Sequence, residues 1–153
     1  MSGGNNYGLN RYKQTSISTA SRGQIVIMLY EGCIKFLRKA IEALQAKNIA
    51  DKGLYIGKAQ DIINELNNSL NHEVGGDISR ELEKLYNFLF EHTTEANIKN
   101  EIKPLESSIK ILETLLDGWR AAVAQSGNMV MSTLTSPGEG NNTNGNENGG
   151  TNR

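Results

Sequence analysis

The chain reads as all-α: an antiparallel up-down four-helix bundle, preceded by a mobile N-terminal segment and followed by a disordered C-terminal tail. Three observations predict this. Apolar residues recur at three- and four-residue spacing along four segments, and no strand-like alternation competes with them. The breaks between segments are short and carry capping or turn residues, which favours antiparallel neighbours. A chain of 153 residues is one domain by length and long enough to bury a core.

The first helix is predicted over about residues 22–47. Ser21 and Gln24 have the spacing of a capping box, which satisfies orphan backbone donors at a helix start. Ile25, Met28, Leu29, Gly32 and Phe36 form one stripe, and Val26, Tyr30, Cys33, Ile34, Leu37 and Ile41 a second beside it. A surface helix needs an apolar stripe only a little over about 100° wide. The excess predicts that this helix is covered on several sides, by its own bundle or by a partner.

Asn48, with Asp51 three residues on, is placed to cap a second helix reaching about Asn71, with Ala59, Ile62, Ile63, Leu66 and Leu70 on its stripe. Gly75–Gly76 is the sharpest internal break. A third helix follows over about residues 77–98, with Ile78, Leu82, Leu85, Leu89 and Ala96 on its inner face. Pro104 suits the first position of a fourth, whose stripe is Leu105, Ile109, Leu112, Leu116, Trp119 and Val123. Low contact order makes such a bundle a quick folder.

These boundaries divide the chain into an N-terminal segment (1–18), the bundle (19–126) and an Asn/Gly-rich tail (127–153). The tail has almost no large apolar side chains after Leu134, so burial cannot offset the entropy of ordering it. The N-terminal segment differs: Tyr7, Leu9, Tyr12 and Ile17 are spaced among polar residues, suited to folding back onto an apolar groove.

Composition excludes several classes. The net charge of −1 and the interspersed signs give neither a basic footprint for nucleic acid nor a polybasic membrane stretch. Cys33 is the only cysteine, so no intrachain disulfide or Cys-rich zinc site forms, and its place on an apolar helix reads as a small buried hydrophobe. The first residues lack the apolar core of a signal peptide, and no run approaches a membrane span. The expectation is a cytoplasmic protein without membrane insertion.

Catalysis is not expected either, nor any cofactor or metal. A di-iron bundle needs E-x-x-H pairs, but Ser69 and Leu89 stand three residues before His72 and His92. A phosphotransfer histidine needs a cation nearby, whereas Glu91 and Glu95 flank His92 and would repel a phosphoryl group. No P-loop motif is present. Glu42, Glu65, Glu81, Glu83 and Glu113 fall on outward positions near Lys or Arg and read as solvated faces. Binding is the stronger reading. Ile56, Ile63 and Leu70 form a line offset from Ala59, Ile62 and Leu66, while Tyr86, Phe88 and Phe90 sit away from the third helix's leucine stripe. The expectation is that one core cannot take all of them. An amphipathic helix would lie in the groove they leave.

The string Thr19-Ala20-Ser21 with Met28-Leu29-Tyr30-x-Gly32, together with Ala59–Leu70, Leu85–Tyr86 and Glu95–Asn100, strongly resembles the flagellar export chaperone family FliS. The likeness runs in order from about Leu9 to Val123. Two departures stand out. Arg22 stands where the family usually has Pro, and Glu91-His92-Thr93 where it usually has a basic pair and Leu. The first loses a pre-set helix start but keeps the cap.

The resemblance implies a monomer or weak homodimer that binds the disordered C-terminal segment of flagellin. It implies that this blocks premature polymerisation and keeps flagellin competent for type III flagellar secretion, with the flagellar export gate as a further partner. Carried over position by position, it makes Leu9 and Tyr12 an N-terminal element beside or within the client groove. It likewise makes Ile25, Met28, Leu29, Ile62, Ile63, Leu66 and Tyr86 candidate partner-binding residues. The alternative function is a generic helical adaptor or dimerisation module that holds no client.

Overall fold

A computed structural model describes residues 21–126, which form four helices: α1 (Arg22–Gln45), α2 (Ile49–Asn68), α3 (His72–Lys99) and α4 (Lys103–Ser126). The N-terminal segment and the Asn/Gly-rich tail lie outside the described residues. The predicted caps are present. Gln24 N donates to Ser21 Oγ at 3.2 Å, and Asp51 N to Asn48 Oδ1 at 3.1 Å. A third cap is formed by Asn71, whose Oδ1 accepts from Val74 N at 3.2 Å and ends α2 three residues earlier than expected. The break at the Gly pair is real but lies inside α3: Gly76 adopts φ 53°, ψ −126°, a backbone that L-residues resist, so the main shaft starts after it.

Three-residue links join the helices (46–48, 69–71 and 100–102). Each helix packs on its sequence neighbours and α4 closes against α1, giving a ring of four with two diagonal pairs. Side-chain bridges fix the antiparallel sense: Arg38 meets Glu113 and Glu31 meets Arg120 across α1 and α4.

The core runs the length of the bundle through Leu37, Ala40, Ile56, Ala59, Leu89, Leu105 and Leu112. Trp119 is buried as its register predicted, its ring 6.4 Å from that of Tyr30. At the centre the Tyr30 and Tyr86 hydroxyls hydrogen-bond across the diagonal at 2.5 Å.

Two expectations are corrected. Ile56, Ile63 and Leu70 are all buried, because α2 is wedged between α1 and α3 and both sides of its stripe are used. On α3 the inward face is Ser79, Leu82, Tyr86, Leu89, Thr93 and Ala96, so Ile78 is turned outward and Tyr86 inward. Small hydroxyl residues can sit inside because the backbone satisfies them: Ser79 Oγ donates to Asn71 O, and Thr93 Oγ1 to Leu89 O at 2.8 Å.

Candidate functional site

The four seams between adjacent helices differ in chemistry. The α4–α1 seam is laced by the two exposed ion pairs just described, each worth little in stability. The α2–α3 seam is an amide and ammonium ladder. Buried Lys52 donates to Asn97 O at 2.8 Å and Asn100 Oδ1 at 2.7 Å, neutralising the carbonyl end of α3. Gln60 Nε2 donates to Thr94 Oγ1 at 2.8 Å and Thr93 Oγ1 at 3.1 Å, and Asn67 to Asn87 at 3.1 Å. On the α1–α2 seam Phe36 and Tyr55 stack with Lys39 and Lys58 over the rings.

The α3–α4 seam is open. Its outer side holds a groove of about 520 Å³ lined by Asp77, Ile78, Glu81, Leu82, Lys84, Leu85, Phe88 and Leu115. Ile78 is 59% exposed and Phe88 45%, side chains that gain about 1.5–3 kcal/mol each on full burial. The Ile78 exposure follows from the turned face of α3: with Ser79 inside, its neighbour points to the rim. Phe88 is held upright by His92, stacked at 4.9 Å, whose Nε2 contacts Ser107 Oγ at 3.0 Å on α4. The apolar floor is rimmed by charge on α3 alone, where Asp77 pairs with Arg80 and Glu81 with Lys84.

The residues singled out from the sequence are dispersed. Leu29, Ile62, Ile63, Leu66 and Tyr86 are buried in the core, with their surface used inside the bundle. Ile25 and Met28 are half-buried on α1, away from the open seam. Leu9 and Tyr12 lie outside the described residues. Phe88 is the groove residue the sequence marked, by its offset from the leucine stripe. Ile78 and Leu85, which the apolar periodicity of α3 puts on its inner face, line the groove as well, and so does Leu115 from α4.

Burial holds the Cys33 thiol and the two core phenols neutral. Burial pushes the Cys33 thiol up to about 12, and the thiol donates to Ala59 O, so it is an unreactive core group. Burial also pushes the Tyr30 phenol up to about 12, opposed by its contacts with Tyr86 and Trp119, and raises Tyr86 further. On the surface, hydrogen bonding and attraction to Lys99 lower the Glu95 carboxyl. Among the described residues no three His, Cys, Asp or Glu side chains cluster to hold a metal ion. No described helix is long and apolar enough to cross a membrane.

An apolar groove on a four-helix ring is a place to hold a chain, and sequence comparison decides whose tradition it follows. The family model for the flagellar protein FliS matches residues 4–126. The chain belongs to the FliS family. It is 34% identical over 112 residues to the flagellar secretion chaperone FliS of Bacillus subtilis (strain 168), covering 73% of this chain and 83% of that one. To the flagellar secretion chaperone FliS of Vibrio cholerae it is 40% identical over 115 residues, covering 72% and 85%. A crystal structure of a bacterial flagellar chaperone superimposes with a TM-score of 0.65 at 28% identity, covering 77% of this chain and 96% of that one. As a FliS family member the chain is a flagellar secretion chaperone, a class that implies a client protein.

Proposed function

We propose that this FliS chain holds the disordered C-terminal segment of newly made flagellin, in the cytoplasm, until it is handed to the flagellar export gate. The observation that carries this reading is the open α3–α4 groove, with Ile78 and Phe88 exposed above Leu82, Leu85 and Leu115. Flagellin's terminal helices exist to bury their apolar faces against other subunits, so free copies self-assemble unless those faces are occupied. A groove that takes an amphipathic helix occupies them. It also leaves the client without a compact fold, ready for a narrow channel. Binding needs no nucleotide, because release follows from transfer to the next partner.

Two further parts of the reading rest on the sequence. Leu9 and Tyr12 cover apolar surface in or next to the groove when no client is present. Ile25 and Met28, half-buried on α1, form a second contact line for a client long enough to wrap the bundle.

Calorimetric titration with the C-terminal segment of flagellin from the same genome tests the proposal. Binding should be saturable and lost in Phe88→Glu, while the thermal midpoint stays nearly the same because Phe88 is already exposed. A chain that ignores the segment, but self-associates in a Phe88-dependent way, would instead be the dimerisation module.

A further inference from the structure

Phe88 is the largest apolar side chain lining the α3–α4 groove, and it is exposed, a setting in which an aromatic ring ordinarily samples more than one rotamer. Here a neighbour holds it. His92, one turn further along α3, lies nearly parallel to the Phe88 ring, with the planes 23° apart. His92 is half-buried and does not itself line the groove. Its ring is tied in turn to α4, where Nε2 meets Ser107 Oγ. The donor of that bond follows from the rest of the site. The Ser107 hydroxyl has a single hydrogen, and it is turned to the α4 backbone, with Lys103 O at 3.0 Å and Pro104 O at 3.3 Å. Oγ is therefore left as the acceptor, and His92 Nε2–H donates to it.

We infer that His92 is a positioning residue of the client groove: its Nε2–H, pinned on Ser107 Oγ, fixes the plane of the imidazole, and the imidazole fixes the Phe88 ring in the orientation a bound client meets. The inference rests on the client-holding reading above and adds to it how this ring is set before the client arrives. Ordering a side chain at an interface costs affinity, and setting it in advance removes that cost. The chain of contacts from Phe88 through His92 to Ser107 also runs from α3 to α4, so it ties the two helices together beside the open seam.

A residue that acts through Phe88 leaves a signature that a direct contact does not. His92→Ala should weaken binding of the flagellin C-terminal segment by about three- to tenfold. In a Phe88→Leu background, which keeps an apolar side chain but removes the ring that His92 holds, the same substitution should have no further effect. Ser107→Ala removes only the acceptor, at an exposed position, and should give a smaller loss in the same direction. It also decides the matter if His92→Ala does not fold. Proton NMR of the free chain supplies a readout independent of the client. The Phe88 ring protons should be shifted upfield by the stacked imidazole and should move back in both variants. Unchanged affinity in His92→Ala and Ser107→Ala would overturn the inference while leaving the client reading intact. So would losses that simply add in the His92→Ala, Phe88→Leu double variant, which would make His92 a client contact in its own right. Failure of the unsubstituted chain to bind would remove the client reading itself, and this inference with it.

Discussion

The hydroxyls of Tyr30 on α1 and Tyr86 on α3 meet 2.5 Å apart at the centre of the bundle, the point where diagonally opposed helices touch through side chains. Both rings are buried, and they tilt 54° to one another with centroids 6.4 Å apart. Each hydroxyl is the other's answer to the need of a buried polar group for a partner. A pair of this kind gives the two helices one preferred register, since a shift of either would strand two polar groups in an apolar core.

That mutual dependence predicts a non-additive cycle. Tyr30→Phe or Tyr86→Phe alone leaves the remaining hydroxyl with a partner lost, at about 1–3 kcal/mol. The double Phe variant should cost clearly less than the sum of the singles, because neither orphan remains. Urea unfolding of the four proteins measures the coupling, and additivity within error would show that the two hydroxyls act independently.

The same pair sets an alkaline limit. Tyr30 ionises at about 12 in the fold against 10.0 when free, and Tyr86 is raised in the same direction, mainly by burial. Raised phenols mean that the folded chain holds its protons more tightly than the unfolded one. Their contribution is complete below about pH 10 and is lost as pH climbs toward 12, where the unfolded state gains by ionising. Absorbance at 295 nm should show Tyr30 and Tyr86 titrating only as circular dichroism reports loss of helix. The Phe/Phe variant should unfold at higher pH.

Helix number, order and most caps were legible in the sequence because capping and periodicity are local. Ser21, Asn48 and the Gly75–Gly76 break fell where the residue types demanded. The groove was not legible, for a specific reason. The rotation of α3 is decided by Ser79, Tyr86 and Thr93, three residues off the leucine stripe, and each is inside because a hydrogen bond makes its burial tolerable. Putting Ser79 and Tyr86 inward turns Ile78 and Phe88 outward, and so makes the candidate site. Likewise, the excess apolar residues of α2 signalled a helix packed on both flanks, not a face awaiting a partner.

Trp119 anchors the end of α4 against Tyr30, buried in register with Leu112 and Leu116. Trp119→Ala should cost about 3–5 kcal/mol, a large share of the stability of an ordinary domain. Guanidinium unfolding would register this as a lowered midpoint with little change in slope. A variant that keeps its stability but loses flagellin would mark the ring as a contact.

The N-terminal segment offers the most discriminating test of how the groove is kept from misuse. An exposed apolar groove invites self-association, and a chain carrying Leu9 and Tyr12 close to the start of α1 has the means to cover it. Tethered to the bundle, such a segment acts at an effective concentration that reaches about millimolar, enough to compete with a client of moderate affinity. Deleting residues 1–14 should therefore raise self-association of the free chain, read by sedimentation velocity across a concentration series. The affinity for the flagellin segment then separates two roles. Tighter binding after deletion identifies a plug that the client displaces; weaker binding identifies a strap that closes over it. If neither self-association nor affinity changes, the segment plays no part at the groove, and Tyr12 is an ordinary surface tyrosine.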